Sequence, residues 1–356
     1  MKIIQVIPDL GLAGAEIMVE NLTYGLVARE QDVLVISLYD LHTAITDRLE
    51  SKGIKVKYLG KKSGFDPAII FKMRRIIKMF QPSVIHTHRY ALPYVFLASI
   101  GLKVKLVHTV HSIAQKEQTK VGRCISKCVF WYFHVTPVAL SSEIQKSICD
   151  VYQLAAQNIP VVFNGVDLSR CMPTGNQAID EPFKFLHIGR FMDVKNHRLL
   201  LNAFAQTAKR NSNMKLQLIG NGELYDSMKQ LSEQLGIAEK VEFLGLQSDV
   251  YPYLHNADVF VLPSKYEGVP MSLIEAMGTG LPIIASAVGG VSDMLTDDEN
   301  ALLIQPNTEE LENAMERLYL DKNLREKLGN NALRRSADFS ASEMARKYLD
   351  VYTKET

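Results

Sequence analysis

The 356-residue chain is too long for one ordinary hydrophobic core and suits two domains. Its 47% apolar and 22% charged content describes a soluble globular protein. No apolar run reaches the roughly 18 residues that a spanning helix needs, which excludes an integral helical membrane protein. Net charge is only +1, yet residues 1–175 carry 21 Lys/Arg against 13 Asp/Glu, and residues 176–356 carry 19 against 26. The excess is sharpest over residues 51–127, which hold 16 Lys/Arg and only two acids, Asp66 and Glu117. Such a block attracts phosphates, nucleic acid or an anionic bilayer, or is simply a solvated basic face.

Lys2–Ile7, stopped by Pro8, reads as a first strand and not as a signal peptide. A cytoplasmic location follows, with room for a peripheral place at the inner face of the cell membrane. Short apolar runs then alternate with helical patterns. Val33–Leu38, Val56–Tyr58, Val84–His86, Leu106–Thr109 and Thr136–Ala139 are expected strands, with a late one at Pro160–Asn164. Ala15–Ala28 and Ala68–Phe80 are expected helices. This is the rhythm of a parallel, doubly wound α/β sheet. Residues 171–183, with two prolines and a glycine, read as a linker. The rhythm then restarts with strands at Phe185–Ile188, Leu216–Ile219, Val241–Leu244, Val259–Val261, Ile283–Ala285 and Ala301–Ile304, and residues 309–353 are helical and charged. The expected division is a domain at 1–170, a second at 184–338, and a C-terminal helix at 339–356 packing back toward the first. Open α/β sheets bind ligands outside the carboxyl ends of their strands, so two such domains facing each other would form a cleft. Cys124, Cys128, Cys149 and Cys171 lack zinc or redox spacing; Cys124 and Cys128, one helical turn apart, read as small buried hydrophobes.

The stretch Glu267-Gly-Val-Pro-Met-Ser-Leu-Ile-Glu275 carries the most chemistry. Gly268 lets a loop approach a ligand, and Pro270 suits a first helical position. The N–H groups that follow can hold an anion where the helix dipole favours one. Gly189-Arg190-Phe-Met-Asp-Val-Lys195 follows the first strand of the second half, and its two cations suit a diphosphate. Gly220-Asn221-Gly222 is a glycine turn after a strand, equally a tight turn or a ligand contact, and lacks the Gly-x-Gly-x-x-Gly of a dinucleotide fold. Gly11-Leu-Ala-Gly14-Ala15-Glu16 lies between the first strand and helix, where glycines again permit close approach. His86, His88, His108 and His111 cluster at strand ends without the carboxylate pattern of a metal site. His111, opening a loop, is the best candidate for a polar contact to a reacting sugar. Asn164-Gly165 is a turn signal, a hinge or a ligand contact.

Taken together, these residues closely resemble the retaining GT-B glycosyltransferases of family 4, which include bacterial capsule, exopolysaccharide and lipid glycosyltransferases. The resemblance covers nearly the whole chain and is most specific at Gly189-Arg190, Lys195 and Glu267-x7-Glu275. It implies two Rossmann-like domains facing a central cleft. It also implies that Arg190 and Lys195 bind the donor diphosphate and that Glu275 hydrogen-bonds the ribose. Glu267, with the backbone of Gly268, Val269, Pro270, Met271 and Ser272, would hold the donor sugar and phosphate, with Gly220, Asn221 and Gly222 beside them. Gly14 would lie near the diphosphate, and Gly11, Gly14, Ala15, Glu16 and His88 on the acceptor side. His111 would touch the donor sugar; Ser112 follows it, where the family commonly has Asp, Asn or Gly. Arg190, Lys195 and the helix start would stabilise the leaving diphosphate electrostatically. The Asp-x-Asp of metal-dependent transferases is absent, so no essential metal or other cofactor is expected. A UDP-hexose or UDP-N-acetylhexosamine is the expected donor, and a glycan or lipid-diphosphate-linked glycan the acceptor.

Two other readings stay open: a sugar-nucleotide epimerase of the same architecture, and a non-catalytic nucleotide-sugar-binding partner subunit. A phosphorylase-like reading is weaker, since no pyridoxal-phosphate site is evident. No aromatic-stacking module or recognition helix accompanies the basic block, so no nucleic-acid partner is expected. Phe71-Lys-Met-Arg-Arg-Ile-Ile-Lys-Met-Phe80 and the cations Lys116, Lys120, Arg123 and Lys127 instead suit an anionic membrane surface. Val129–Phe133 is expected to be core.

Overall fold

The computed structural model describes residues 1–11, 13–117, 119–171 and 182–354, so most of the expected linker at 171–183 lies outside the described residues. The chain divides into two units, Met1–Val166 with Ser340–Thr356, and Asp167–Phe339. The first therefore ends four residues before the expected 170, because Leu168–Arg170 forms a short 3-10 turn belonging to the second.

Each unit contains one six-stranded parallel sheet. In the first, β1 (Lys2–Ile7), β2 (Asp32–Ser37), β3 (Lys55–Tyr58), β4 (Val84–His88), β5 (Lys105–Val110) and β6 (Thr136–Ala139) take the order β3-β2-β1-β4-β5-β6. In the second, β7 (Phe183–Ile188), β8 (Met214–Ile219), β9 (Val241–Gly245), β10 (Val259–Leu262), β11 (Ile283–Ser286) and β12 (Leu302–Ile304) take the order β12-β11-β10-β7-β8-β9. Strands such as β1, β2 and β10 are nearly continuous apolar runs because helices cover both faces of such a sheet. In both units the order reverses beside the first strand, between β1 and β4 and between β7 and β10. That topological switch point is where doubly wound sheets open a crevice.

Pro160–Asn164 is not a strand. It contributes one isolated bridge, Val161 to Ala139, since Pro160 has no N–H to donate and β6 is a four-residue edge. Val129–Phe133 is only partly core: Val129 and Phe130 are buried, whereas Trp131, Tyr132 and Phe133 are exposed. Cys124 and Cys128 are exposed rather than buried, because they lie on the outward face of the helix Lys120–Tyr132. The charged C-terminal stretch forms three helices, Thr308–Leu320, Lys322–Ser336 and Ala341–Thr353. The last rests on the helix Gly14–Val27, where Gly25 permits the approach: a Cβ there would lie 2.4 Å from the Ala341 carbonyl oxygen.

Candidate active site

In the first unit the switch point gathers the loop after β1 with the ends of β4 and β5. The chain leaves β1 through Asp9, whose carboxylate accepts the Gly11 N–H at 3.2 Å, and enters the helix at Gly14. A Cβ on Gly14 would meet nothing within 4 Å, so space is open beside this helix start. Glu16 on the first turn faces inward at 1% exposure and is paired at 2.6 Å with Arg89. Burial raises its carboxyl above the ordinary range, against the opposing pull of a backbone hydrogen bond and Arg89. Arg89 directly follows β4 and takes a left-handed backbone, φ 54°, unusual for a residue with a side chain.

Four histidines stand at these strand ends, and burial depresses all of them. His108 is pushed down to about 4 and His111 to about 3, His111 also by the neighbouring charges of His108 and Arg89. All four are therefore neutral near pH 7. His111 is half-buried, and its Nε2 lies 3.0 Å from Nδ1 of His88. Its backbone N–H donates at 3.1 Å to Glu117, so this carboxylate fixes the loop that carries the ring. Burial pushes Glu117 up to about 8, opposed by the His111 and Ser112 amides and by Arg89. Among the described residues no cluster of three or more metal-ligating side chains forms.

In the second unit the β7 loop runs through Gly189 and Arg190 to a 3-10 turn at Asp193–Lys195, and the helix His197–Arg210 follows. The β8 loop lies on its backbone. A Cβ on Gly220 would sit 2.1 Å from the Gly189 carbonyl oxygen, and one on Gly222 2.5 Å from that of Phe191. Gly220 and Gly222 thus have a packing reason that the sequence left undecided. Arg190 is exposed.

Across the switch point, β10 leads through Ser264 to Glu267, a buried carboxylate. Its Oε1 accepts Lys195 Nζ at 2.6 Å and the Ser264 hydroxyl at 2.5 Å. A second strap joins the loops, where the Lys265 N–H donates to Val194 O at 2.8 Å. The helix begins at Met271, with Pro270 extended at its N-cap rather than in its first turn, so Glu275 lies about one turn inside. The Ser272 hydroxyl turns back to Ile188 O at 3.3 Å and ties this helix start to the end of β7. Glu275 accepts the Tyr251 hydroxyl at 3.5 Å, and burial lifts it to about 7 against the pull of Arg170 and Tyr251. Arg170 stacks on the Tyr251 ring at 4.2 Å.

The second unit therefore brings Lys195, Glu267, the Gly268–Ser272 helix entry and Glu275 to one switch point, with Arg190 beside them. The first unit brings Gly11, Gly14 and His111 to another. Two expected acceptor contacts need correction. His88 is fully buried behind His111, and the Glu16 carboxylate is turned inward onto Arg89, so neither side chain presents to a ligand. Sequence reasoning missed Arg89, Glu117, Ser264 and Tyr251. Glu117 carried a signal, as one of only two acids in a block of cations six residues from His111; Ser264 and Tyr251 carried none.

Two doubly wound sheets, each with ligand-type loops at its switch point, define the GT-B class of protein. The family description "Glycosyl transferases group 1" matches residues 174–335 and "Glycosyltransferase Family 4" matches residues 12–170. The chain belongs to the group 1 glycosyltransferases of family 4, and it is a glycosyltransferase. It is 27% identical over 282 residues to the Escherichia coli UDP-Gal:alpha-D-GlcNAc-diphosphoundecaprenol alpha-1,3-galactosyltransferase, covering 72% of this chain and 71% of that one. It is 24% identical over 321 residues to CapH, a capsular polysaccharide biosynthesis glycosyltransferase of Staphylococcus aureus, covering 86% and 88%. Its fold matches the crystal structure of Anabaena HepE in complex with UDP and glucose at a TM-score of 0.85 and 20% identity, over 100% of both chains.

Proposed function

We propose that this protein transfers a hexose or N-acetylhexosamine from a UDP-sugar to a glycan or lipid-diphosphate-linked acceptor, with retention of anomeric configuration, in bacterial surface polysaccharide synthesis. The observation that carries the reading is the second unit's switch point, where Lys195 and Glu267 meet at 2.6 Å beside the start of the helix Met271–Gly278. Lys195 and Arg190 would bind the diphosphate, Glu275 the ribose and Glu267 the sugar. The sugar–phosphate bond breaks as charge grows on the leaving diphosphate, which these cations and the helix start stabilise. The acceptor oxygen attacks the same sugar face, and its proton passes to the departing phosphate oxygen. The residues at the site supply this charge themselves, so the reaction needs no divalent metal in this reading. The Escherichia coli relative named for a diphosphoundecaprenol substrate favours a lipid-linked acceptor.

The test is a panel of UDP- and GDP-sugars incubated with and without lipid-linked or free glycan acceptors. Acceptor-dependent donor consumption with an α-linked product from an α-linked donor is expected. Consumption that never requires an acceptor would point to an epimerase, and binding without turnover to a partner subunit.

The same reading includes contact with an anionic membrane, and the helix Lys120–Tyr132 supports it. No helix among the described residues is long and apolar enough to cross a membrane. This one turns an apolar face outward: Val121 is 71% and Tyr132 75% exposed, with Ile125 and Cys128 on the same stripe. Lys120 and Lys127 run along one side of it, the arrangement of an interfacial helix on anionic lipid. Arg75 and Lys78 on the helix Ala68–Phe80 are also exposed. Trp131, the single tryptophan of the chain, is a built-in reporter. Vesicles rich in phosphatidylglycerol should bind the protein and shift Trp131 emission to the blue, whereas phosphatidylcholine vesicles should not. Val121→Asp with Ile125→Asp should weaken binding by at least tenfold. Lipid binding unchanged in that variant, or a lipid-independent dimer through this face, would overturn the contact.

A further inference from the structure

His88 and Gln5 have no part in the chemistry above, yet they stand in one continuous hydrogen-bond chain behind His111. His111 Nε2 meets His88 Nδ1 at 3.0 Å, and His88 Nε2 meets Gln5 Oε1 at 2.8 Å. Gln5 Nε2 donates to the Tyr352 hydroxyl at 3.4 Å, and that hydroxyl lies 2.8 Å from His86 Nδ1. The chain ends through His86 Nε2 and Thr109 Oγ1, 2.7 Å apart, at the Tyr348 hydroxyl, a further 2.7 Å away. His88, His86, Gln5, Tyr348 and Tyr352 are all buried, so water cannot substitute for a missing partner.

Buried donors and acceptors must match along such a chain, and a neutral imidazole has one of each. Gln5 presents its carbonyl oxygen to His88, so His88 Nε2 carries the proton. His88 Nδ1 is then an acceptor, and His111 must donate from Nε2. His111 is left with its lone pair on Nδ1, which no described residue engages. Tyr352, receiving the Gln5 amide, donates to His86 Nδ1, and His86 Nε2–H donates to Thr109. Every link agrees in direction.

We propose that His88 is a positioning residue: anchored through Gln5 to Tyr352 of the C-terminal helix, it holds His111 in the Nε2–H tautomer, with Nδ1 presented as a hydrogen-bond acceptor for a sugar hydroxyl. The sugar contact rests on the reading of His111 given above; the tautomer does not. A ring free to exchange tautomers would present a donor part of the time and meet a hydroxyl with less definite geometry. Tyr352 lies far from His88 in sequence, so the last helix of the chain helps set the polarity of a group on the fifth strand's exit.

Histidine ring nitrogen NMR on the 15N-labelled resting protein tests this without substrate, with His111 assigned by the loss of its signals in His111→Gln. Wild type should show His111 with a protonated Nε2 and an unprotonated Nδ1. A protonated Nδ1 there, the result of a reversed Gln5 amide and a reversed chain, would overturn the proposal even if no variant folded. His88→Phe should mix the His111 tautomers and lower kcat by roughly five- to tenfold, the value of one hydrogen bond. His88→Asn, whose carbonyl can occupy the place of Nδ1, should restore both the single tautomer and most of the rate. An unmoved His111 tautomer in His88→Phe would overturn the proposal. Tautomer mixing with no kinetic change would uphold the positioning and instead remove the sugar contact from His111.

Discussion

Lys195→Ala should lower kcat by about 10²–10³-fold, or about 2.7–4 kcal/mol, the usual loss when one preorganised group that stabilises transition-state charge is removed. The proposed leaving group is a diphosphate, and the Lys195 ammonium is a partly buried cation held 2.6 Å from Glu267. Burial makes the charge count for more than a surface lysine would, because less water screens it. The substitution also leaves the buried Glu267 with Ser264 as its remaining side-chain partner, so the effects of Lys195→Ala and Glu267→Gln should not add. Lys195→Arg should recover only part of the rate, since a planar fork does not reproduce a point charge in the same place. Glu275→Ala, one helical turn farther in, should instead weaken nucleotide binding with a smaller effect on kcat. Steady-state kinetics with calorimetry for UDP separates the two. A Lys195→Ala enzyme within threefold of the parent kcat would remove the diphosphate assignment.

Gly220→Ala should be the most damaging of the small substitutions to stability, at about 3–5 kcal/mol, through clash and strain together. Its φ is 138°, and the added Cβ would lie 2.1 Å from Gly189 O and 2.9 Å from Gly189 C. Those are backbone atoms and cannot rotate away. The loop they belong to is also held by the Gly189 N–H to Ile219 O at 2.9 Å, so relief of the clash would shift the segment leading to Arg190 and Lys195. A melting temperature lower by roughly 6–20 °C follows for a unit of this size. Gly14→Ala is the contrast. Its Cβ meets nothing within 4 Å and Gly14 opens a helix, so the fold should be unharmed or slightly stabilised. If that space receives substrate, activity should fall nonetheless. Thermal melts and initial rates on both variants check this, and equal melting temperatures would refute the role given to Gly220.

All twelve strands could be placed within two residues at each end, because a parallel strand covered on both faces reads as an apolar run. The widest misses are of two residues, as at β8, which begins at Met214 rather than the expected Leu216 because polar Lys215 and Gln217 interrupt the run. The two stretches that meet at the second unit's switch point, Glu267 through Glu275 and Gly189 through Lys195, were equally legible, since each is local and has fixed spacing. Pro160–Asn164 shows where local pattern misleads: it is apolar enough for a strand but finds only one bridge. The helix Lys120–Tyr132 shows a second limit. Periodicity separates its faces, but Ser126 is buried while Val121 and Ile125 are exposed, and hydrophobicity alone assigns the opposite orientation.

By itself the sequence determined two parallel-sheet halves and the residues proposed for the nucleotide-sugar site, because both are written in short-range patterns of apolarity, glycine and charge. Only the tertiary structure decided which groups face a ligand and which stand behind it. Glu16 turns to Arg89, His88 to His111, and Gln5 to a tyrosine at the far end of the chain. Hydrogen bonds are directional and act over about 3 Å, so their partners are chosen by spatial proximity that no local spacing records.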